Sequence, residues 1–559
     1  MRKKNVTHAS KTHASKRAGA VGPGSGGRLD RRSFLRILGV GAVALARPSR
    51  ARAASTSVTY ARSFLGLVPL DPHQAGNSGR YDNLNQVYDT LVFADDQGKI
   101  ISNLAESWKV SKDFKEYTFV LRNGVKFHDG TPLTADAVKF SFDRIVGIGN
   151  HAVAQWLPLA KAGATVEATG ELTLRFVFPD PYPLFMRELV YACYGIMSPT
   201  YVKKYATPED PWAKERMAYD ACGTGPFKFV EQVPKEKVVL ERNLNYWAGE
   251  KGVVRGGKVM PQYDRLLLTL VPDPTTRRIM LEKGEIDIAG NLPTDVLEDL
   301  KKTPGITVIN FPLLFTASIY INCSKKPFDD VRVRQALSYA IDYDKIIQDI
   351  ERGIVLPLRG ITPQGMMGYD PKRLRYKRDV AKARALLAAA GYPNGLSTTL
   401  IYSPDRRAEF EQEAVLIQSF MKDAGVDLKL QKMDYTAQMA RQVAGGHDLA
   451  MMIFLAGTGD PSTLLHSYIP PDVPQGSPQY SFRWRNDKVI DLLHKALNVP
   501  DSPRRAKMYA EVDDLGMKEA VAIPLYQIPA SFAIRNSVTG FKYDTLRRAV
   551  LWEVRKLSA

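Results

Sequence analysis

At 559 residues the chain is several times the usual domain size, so a single small module is excluded and two to four lobes are expected. Its 45% apolar, 24% charged and 9% aromatic residues, with 41 Gly and 35 Pro, exclude a disordered or fibrous chain. The net charge of +18 is concentrated: residues 1–53 carry 13 Lys and Arg against one acid, Asp30, and the other 506 residues are left with only +6, which excludes a basic face for nucleic acid.

In chain order, residues 1–28 are basic, rich in Gly, Ser and Thr and without apolar periodicity, as in a leader rather than a domain. Gly22-Pro23-Gly24-Ser25-Gly26-Gly27 formally fits G-x-G-x-x-G, but no strand and helix flank it, so it signals no nucleotide. Asp30-Arg31-Arg32-Ser33-Phe34-Leu35-Arg36, the apolar run Ile37–Ala46 and Ala51-Arg52-Ala53 follow. Together they resemble a twin-arginine export signal over residues 1–53, ending in an A-x-A cleavage site; the alternative is a basic tail beside a short core helix. Ten apolar residues are too few to span a hydrocarbon layer of about 30 Å. The three cysteines, Cys193, Cys222 and Cys323, lie far from the cleavage site, so no acylated anchor is expected and the protein is read as freely periplasmic. In that oxidising space either Cys193 pairs with Cys222 and leaves Cys323 over, or all three are buried thiols.

The mature chain reads as α/β. Glu116–Arg122 has the composition of a strand ending in the turn Asn123-Gly124. Thr134 is placed to cap a helix that shows Val138, Phe142 and Ile145 on one face. Asp329 or Asp330 caps another, striped by Val333, Ala336, Leu337, Ala340 and Ile341. Glu409–Asp423 reads as a helix stopped by Gly425, and Val426, Leu428 and Leu430 alternate as in a strand. No fixed-period repeat is present.

Catalytic signatures are missing from the sequence. No Walker A, G-x-S-x-G, H-E-x-x-H or C-x-x-C pattern occurs, and His73, His128, His151, His447, His466 and His494 never fall three or four apart. Asp329-Asp330 and Asp513-Asp514 suit helix starts or solvated faces. No catalytic residue, metal or cofactor is therefore expected, although an exported hydrolase or isomerase built from scattered acids is the second functional class.

Several segments carry a resemblance, and they occur in a fixed order: Leu70-Asp71-Pro72, Val87–Leu91 (VYDTL), Asn103–Trp108 (NLAESW), Tyr117–Phe119, Leu121-Arg122, Gly124–Ala135 (GVKFHDGTPLTA), Gly223–Phe227 (GTGPF), Gly284–Asp287 (GEID), Pro327–Asp342 (PFDDVRVRQALSYAID) and Ala388–Gly395 (AAAGYPNG). From about Tyr60 to Tyr526 the chain resembles the extracytoplasmic solute-binding proteins that include the oligopeptide- and dipeptide-binding components of ABC importers. The resemblance implies a two-lobed periplasmic binding protein of type II with an extra domain inserted in lobe I. Lobe I would comprise 54–86, 205–315 and 521–559, the extra domain 87–204 and lobe II 316–520. It also implies a monomer that closes on a solute without turning it over and delivers it to membrane permease subunits.

Site residues follow from the same resemblance. His447–Pro461 matches, without a gap, a family stretch in which an Asp beside a Trp pairs with a peptide's amino terminus; Phe454 falls at the Trp and Gly457 at the Asp. A buried ammonium would then lack its carboxylate, so a non-peptide solute (a sugar, an opine-like compound or a metal complex) stands beside a peptide as the expected ligand. Asp460 is expected to cap a helix at Ser462–Leu465. Tyr435, Arg441 or Gln442, and Tyr526 lie at or near family cleft positions, with core packing the alternative for the aromatics. Arg406 either holds a ligand carboxylate or is a solvated surface charge. His73 either faces the cleft or stabilises the turn after Leu70-Asp71-Pro72.

Overall fold

The computed structural model describes residues 56–557 apart from 64–69, 75–80, 96–98, 150–163, 249–260, 456–459, 474–475, 478–480, 501 and 545–547. The twin-arginine segment, His151 and Gly457 lie outside the described residues.

Residues 54–559 form one compact unit. Its spine is an eleven-stranded sheet running, in order, through Val426–Lys432, Leu396–Tyr402, Leu449–Leu455, Ile306–Ile321, Ala522–Arg535, Ile288–Gly290, Ser57–Arg62, Arg265–Leu270, Lys237–Arg242 and Phe227–Val233. The short strand Leu356–Pro357 pairs with Ala522–Arg535 off this path. The two long central strands are antiparallel, from Ile306 opposite Arg535 to Tyr320 opposite Ala522, and lose register between Phe311 and Phe315. Pro312, which has no N–H to donate to a ladder, sits in that gap.

Apolar side chains gather in two large cores on either side of this irregularity. The first unites Val58 and Tyr60 with Phe227, Leu266, Trp552 and Val554; the second draws on one continuous run, Leu314 to Tyr526. A four-stranded antiparallel sheet, in the order Ala105–Val110, Glu116–Leu121, Thr173–Val177, Thr165–Ala168, packs into the first core. There Phe119, Phe142, Phe176 and Phe185 meet at centroid distances of 4.8–6.4 Å.

The local elements follow the sequence signals. In the strand Glu116–Leu121 the residues Tyr117, Phe119 and Leu121 are buried in alternation with more exposed neighbours. Thr134 Oγ1 accepts from Ala137 N at 3.2 Å and starts the helix Ala135–Ile148, and Gly149, at φ 58°, closes it. Of the two candidate caps it is Asp330, accepting from Arg332 N at 2.8 Å, that starts Val331–Ala340. Its striped residues Val333, Ala336, Leu337 and Ala340 are all buried.

The recurrent motifs turn out to hold one another. A Cβ on Gly223 would stand 2.2 Å from Val87 O, and Gly225 N donates to that carbonyl at 2.9 Å, so GTGPF lies directly on VYDTL. Asp89 Oδ2 accepts from Thr224 Oγ1 and Trp247 Nε1, both at 2.9 Å. His128 N donates to Gly223 O at 2.9 Å, adding the GVKFHDG segment. Cys193, Cys222 and Cys323 are free buried thiols, so the structure takes the second cysteine alternative.

Burial sets a pH optimum. It lowers the pKa of His73 to about 3 and those of His128, His447 and His466 to about 4. Below pH 6.5 the unfolded chain protonates these rings and the folded chain does not, so stability falls on acidification by up to about 1.4 kcal/mol per pH unit per ring. Burial raises Glu188 to about 8 and Glu413 well above its ordinary value. These acids work in the opposite sense, because the folded chain keeps protons that the unfolded chain releases as pH rises. Between pH 4.5 and 6.5 four rings oppose two acids, and above 6.5 the acids act alone. Urea-unfolding free energies measured from pH 4.5 to 8.5 should peak near 6.5; a steady rise from 6.5 to 8 would contradict this balance.

Candidate functional site

The sheet directs loops from both halves to one place. Leu396–Tyr402, Val426–Lys432 and Leu449–Leu455 are mutually parallel, and Leu455 pairs with Phe315, itself opposite Ile528. Ser57–Arg62, Arg265–Leu270 and Ile288–Gly290 are parallel in the other half, and Gly290 pairs with Phe532. The carboxyl ends of both sets therefore converge on residues 311–315 and 528–532, where the long strands lose register. A crevice outside strand carboxyl ends, at a change in chain direction, is where α/β sheets take ligands.

Loops from both sides meet there. Arg62, at the end of its strand, is paired with Asp82 and donates from Nε to Asn291 Oδ1 at 3.0 Å, which fixes the loop after Ile288–Gly290. Asn291 itself is in the left-handed region at φ 58°, which Asn tolerates. From the second half, Glu409 Oε1 accepts from Thr294 Oγ1 at 3.3 Å and so ties the two halves together.

Behind Glu409 lies a buried charge cluster. Arg407 is paired with Glu351, stands 3.6 Å from Glu409 and lies 5.6 Å from the Tyr526 ring centroid. Tyr526 Oη donates to Glu413 Oε1 at 2.5 Å. Burial first, then the hydrogen bond and charge of Glu351, push the Glu413 carboxyl well above its ordinary pKa. The group thus gathers one cation, Arg407, and three acids, Glu351, Glu409 and Glu413.

The expected site residues separate into distinct places. Arg406 and Tyr435 come together, the guanidinium 4.5 Å from the ring centroid, at the carboxyl end of Val426–Lys432. Arg406 is exposed, and Asp405 Oδ2 accepts from Tyr435 N at 3.2 Å. Arg441 and Gln442 are not brought to them. They lie six and seven residues along the helix Tyr435–Val443, about 10 Å away by its rise, and Arg441 is tied to Gly446 O at 3.0 Å and Gln431 Oε1 at 2.6 Å. Phe454 and Tyr526 are buried in the second core, which for Tyr526 is the packing alternative. Asp460 caps the helix Pro461–Leu465, accepting from Ser462 N at 2.9 Å, and is ion-paired with Arg505 at 3.0 Å.

His73 takes the structural one of its two expected roles. Arg144 donates to its Nδ1 at 3.0 Å, so Nε2 carries the proton and donates to Gly195 O at 3.0 Å. With both nitrogens committed inside the protein, its ring has no polar atom left for a solute.

Sequence reasoning missed Arg407, Glu351, Glu413, Thr294 and Glu409. One signal was available: Glu413 falls on the apolar stripe Phe410, Ala414, Ile417, Met421, where a charged residue is costly unless neutralised or paired. Nothing in the sequence distinguishes Arg407 from its neighbour Arg406.

Comparison with known proteins follows the same lines. Residues 99–474 match the profile described as bacterial extracellular solute-binding proteins, family 5 Middle. The chain is 30% identical over 449 residues to the probable D,D-dipeptide-binding periplasmic protein DdpA of Escherichia coli (strain K12), covering 80% of this chain and 83% of that protein. It is similar in structure to the ABC transporter-associated periplasmic binding protein DppA from Helicobacter pylori in complex with peptide STSA, with a TM-score of 0.74 and 28% identity over 90% of this chain and 99% of that one. It is also similar to the binding protein AgaA in complex with agropinic acid, from A. tumefacien R10, with a TM-score of 0.69 and 26% identity over 90% and 99% of the two chains.

Proposed function

Since the chain belongs to the bacterial extracellular solute-binding proteins of family 5 and is a periplasmic substrate-binding subunit of an ABC importer, we propose that it captures a peptide or peptide-like solute between its two lobes, without turnover. The observation that carries this reading is the convergence of both sets of strand carboxyl ends on the irregular middle of the two long strands. A division into lobe I (54–86, 205–315, 521–559), an extra domain (87–204) and lobe II (316–520) is supported by the second core, which draws on Leu314 to Tyr526 and so reaches past the lobe II bounds at Leu314 and over Val521–Tyr526. Arg406 and Tyr435 supply a rim cation and an aromatic face toward the solute.

A non-peptide solute is the second reading, favoured by the likeness to AgaA with agropinic acid and by Gly457 at the acid position of peptide-binding relatives. Native mass spectrometry of protein taken from its own periplasm separates the two by the mass of the retained ligand. That ligand, added to the emptied protein at 100 times its Kd, should stabilise the fold by about 2.7 kcal/mol and give a more compact particle by X-ray scattering. Tight binding with unchanged dimensions would refute closure, and consumption of the ligand would refute the absence of turnover.

Residues 1–53 fit export by the twin-arginine route, with Arg31 and Arg32 as the recognised pair. Replacing both by Lys should leave uncleaved precursor in the cytoplasm and remove mature protein from the periplasm. Undiminished periplasmic protein on an immunoblot would rule this route out.

A further inference from the structure

Where the two long strands pass from one core to the other, the ladder between them is interrupted. Phe311 faces Ala530 and Phe315 faces Ile528, so the three residues Pro312-Leu313-Leu314 pass a single one, Pro529. Neither proline has an N–H to give to the ladder. The boundary between the cores falls in the same gap: Leu313 is packed in the first and Leu314 in the second, while Ala530 packs against the first and Ile528 against the second. A sheet interrupted on both strands at the boundary of two cores is able to bend there.

One side chain spans the gap. Gln527 is 2% exposed; its Nε2 donates to Leu313 O at 2.8 Å and to Gln364 O at 3.1 Å, and its Oε1 accepts from Gln364 N at 2.9 Å. The Gln364 end of this bridge is fixed to the second core. Ile361 N and Thr362 N, in the same loop, donate at 3.1 Å to Asp513, a buried acid of the helix Pro503–Lys518 that Arg373 neutralises at 2.8 Å. Leu356 and Pro357, just upstream of that loop, pair with Gln527 and Tyr526. The Leu313 end belongs to the first core. The carboxamide therefore makes, through a side chain, a bond between the two cores that neither proline can donate from the main chain.

When the two cores rotate about the gap, Leu313 O moves relative to the loop that Asp513 anchors, and no ladder bond between the strands shares the load at that point. We propose that Gln527 is the clamp of the hinge: its bond to Leu313 O sets the resting angle between the two halves, and with it the fraction of molecules poised to enclose a solute. The assignment rests on the closure reading above and deepens it. Gln527 is a positioning residue, because its amide is fully used inside the protein and acts through the Leu313 backbone rather than on a solute. Losing one buried hydrogen bond of this kind shifts a two-state population by about threefold to tenfold. Apparent solute affinity scales with the competent fraction, so the clamp bears on binding without touching the ligand.

The test reads the angle with no solute added. Lys283 and Lys422 are exposed, on helices either side of the gap, and their replacement by Cys takes spin labels while the three native thiols stay buried. Pulsed electron spin resonance then gives the distance distribution between the labels. It is compared in the doubly labelled protein with Gln527 intact, in Gln527→Met, which keeps the length of the side chain and removes its bonds, and in Gln527→Asn, whose amide is too short to hold Leu313 O and Gln364 together. Both variants should unfold cooperatively and should move about threefold to tenfold of the population ratio away from the natural distance. A distribution unchanged in the folded variants overturns the clamp. Since no solute is present, that failure leaves solute capture standing, and capture is decided by what the retained ligand does to the dimensions of the natural protein.

Discussion

Asp71→Asn should lower the unfolding free energy by about 3–5 kcal/mol, the cost of leaving one partner of a buried ion pair uncompensated. Both side chains of the Asp71–Arg144 pair are 0% exposed. Arg144 reaches the two Asp71 oxygens at 2.8 and 2.6 Å, His73 Nδ1 at 3.0 Å and Trp212 O at 3.0 Å, so one guanidinium ties its own helix to two other segments. Burial acts to raise the Asp71 pKa, but the hydrogen bonds and charge of Arg144 outweigh it and hold the carboxyl below its usual range. A lowered carboxylate pKa contributes stability that is complete above the unfolded value of about 3.9 and disappears only as pH falls through the folded value, so the full loss should be seen at pH 7. Urea unfolding of the variant at pH 7 measures it, and a loss under about 1 kcal/mol would mean that water reaches the pair.

A second pair of variants should rank against intuition. Arg407→Met removes the cation from Glu351, a fully buried acid that also neighbours Glu413, and should cost about 3 kcal/mol or more. Glu413→Gln should cost less than about 1 kcal/mol, because burial favours the neutral form of the acid and an amide resembles that form, still accepting from Tyr526 Oη and donating toward Glu351. Comparing urea midpoints of the two variants decides the matter. If Glu413→Gln is as damaging as Arg407→Met, Glu413 carries a charge in the folded protein and the proton has been placed wrongly.

Signals that act over one or two turns of chain were readable before any coordinates. Thr134 and Asp330 cap the helices they precede, and Tyr117, Phe119 and Leu121 point inward as their spacing requires. The ordered motifs were legible as a set, but their physical reason, the contact of Gly223 and Gly225 with the Val87 backbone, spans more than a hundred residues and leaves no local trace. The site was less readable for the same reason. Whether His73 meets a solute or Arg144 depends on a residue 71 positions away, and Glu413 meets Tyr526, 113 positions on. The separation of Tyr435 from Arg441, by contrast, was available in advance: six residues of helix carry the second about 9 Å along the axis from the first.

The unequal construction of the two cores bears on the order in which the chain can fold during synthesis. The second core draws on the continuous run Leu314–Tyr526 and can consolidate once that run has emerged. The first core cannot, since Trp552 and Val554 belong to the same interior as Val58. Residues near 550 also fasten its earliest segments: Asp82 Oδ1 accepts from Ala549 N at 2.9 Å, and Lys556 donates to Ser57 O at 2.9 Å. Closing a loop of nearly five hundred residues carries an entropic cost that grows only slowly with length, but it cannot begin before both ends exist. The first core to leave the ribosome is therefore the last to be finished, and a chain cut before residue 549 would present a completed second core joined to an open first one, a form that proteases and chaperones can tell from the finished protein.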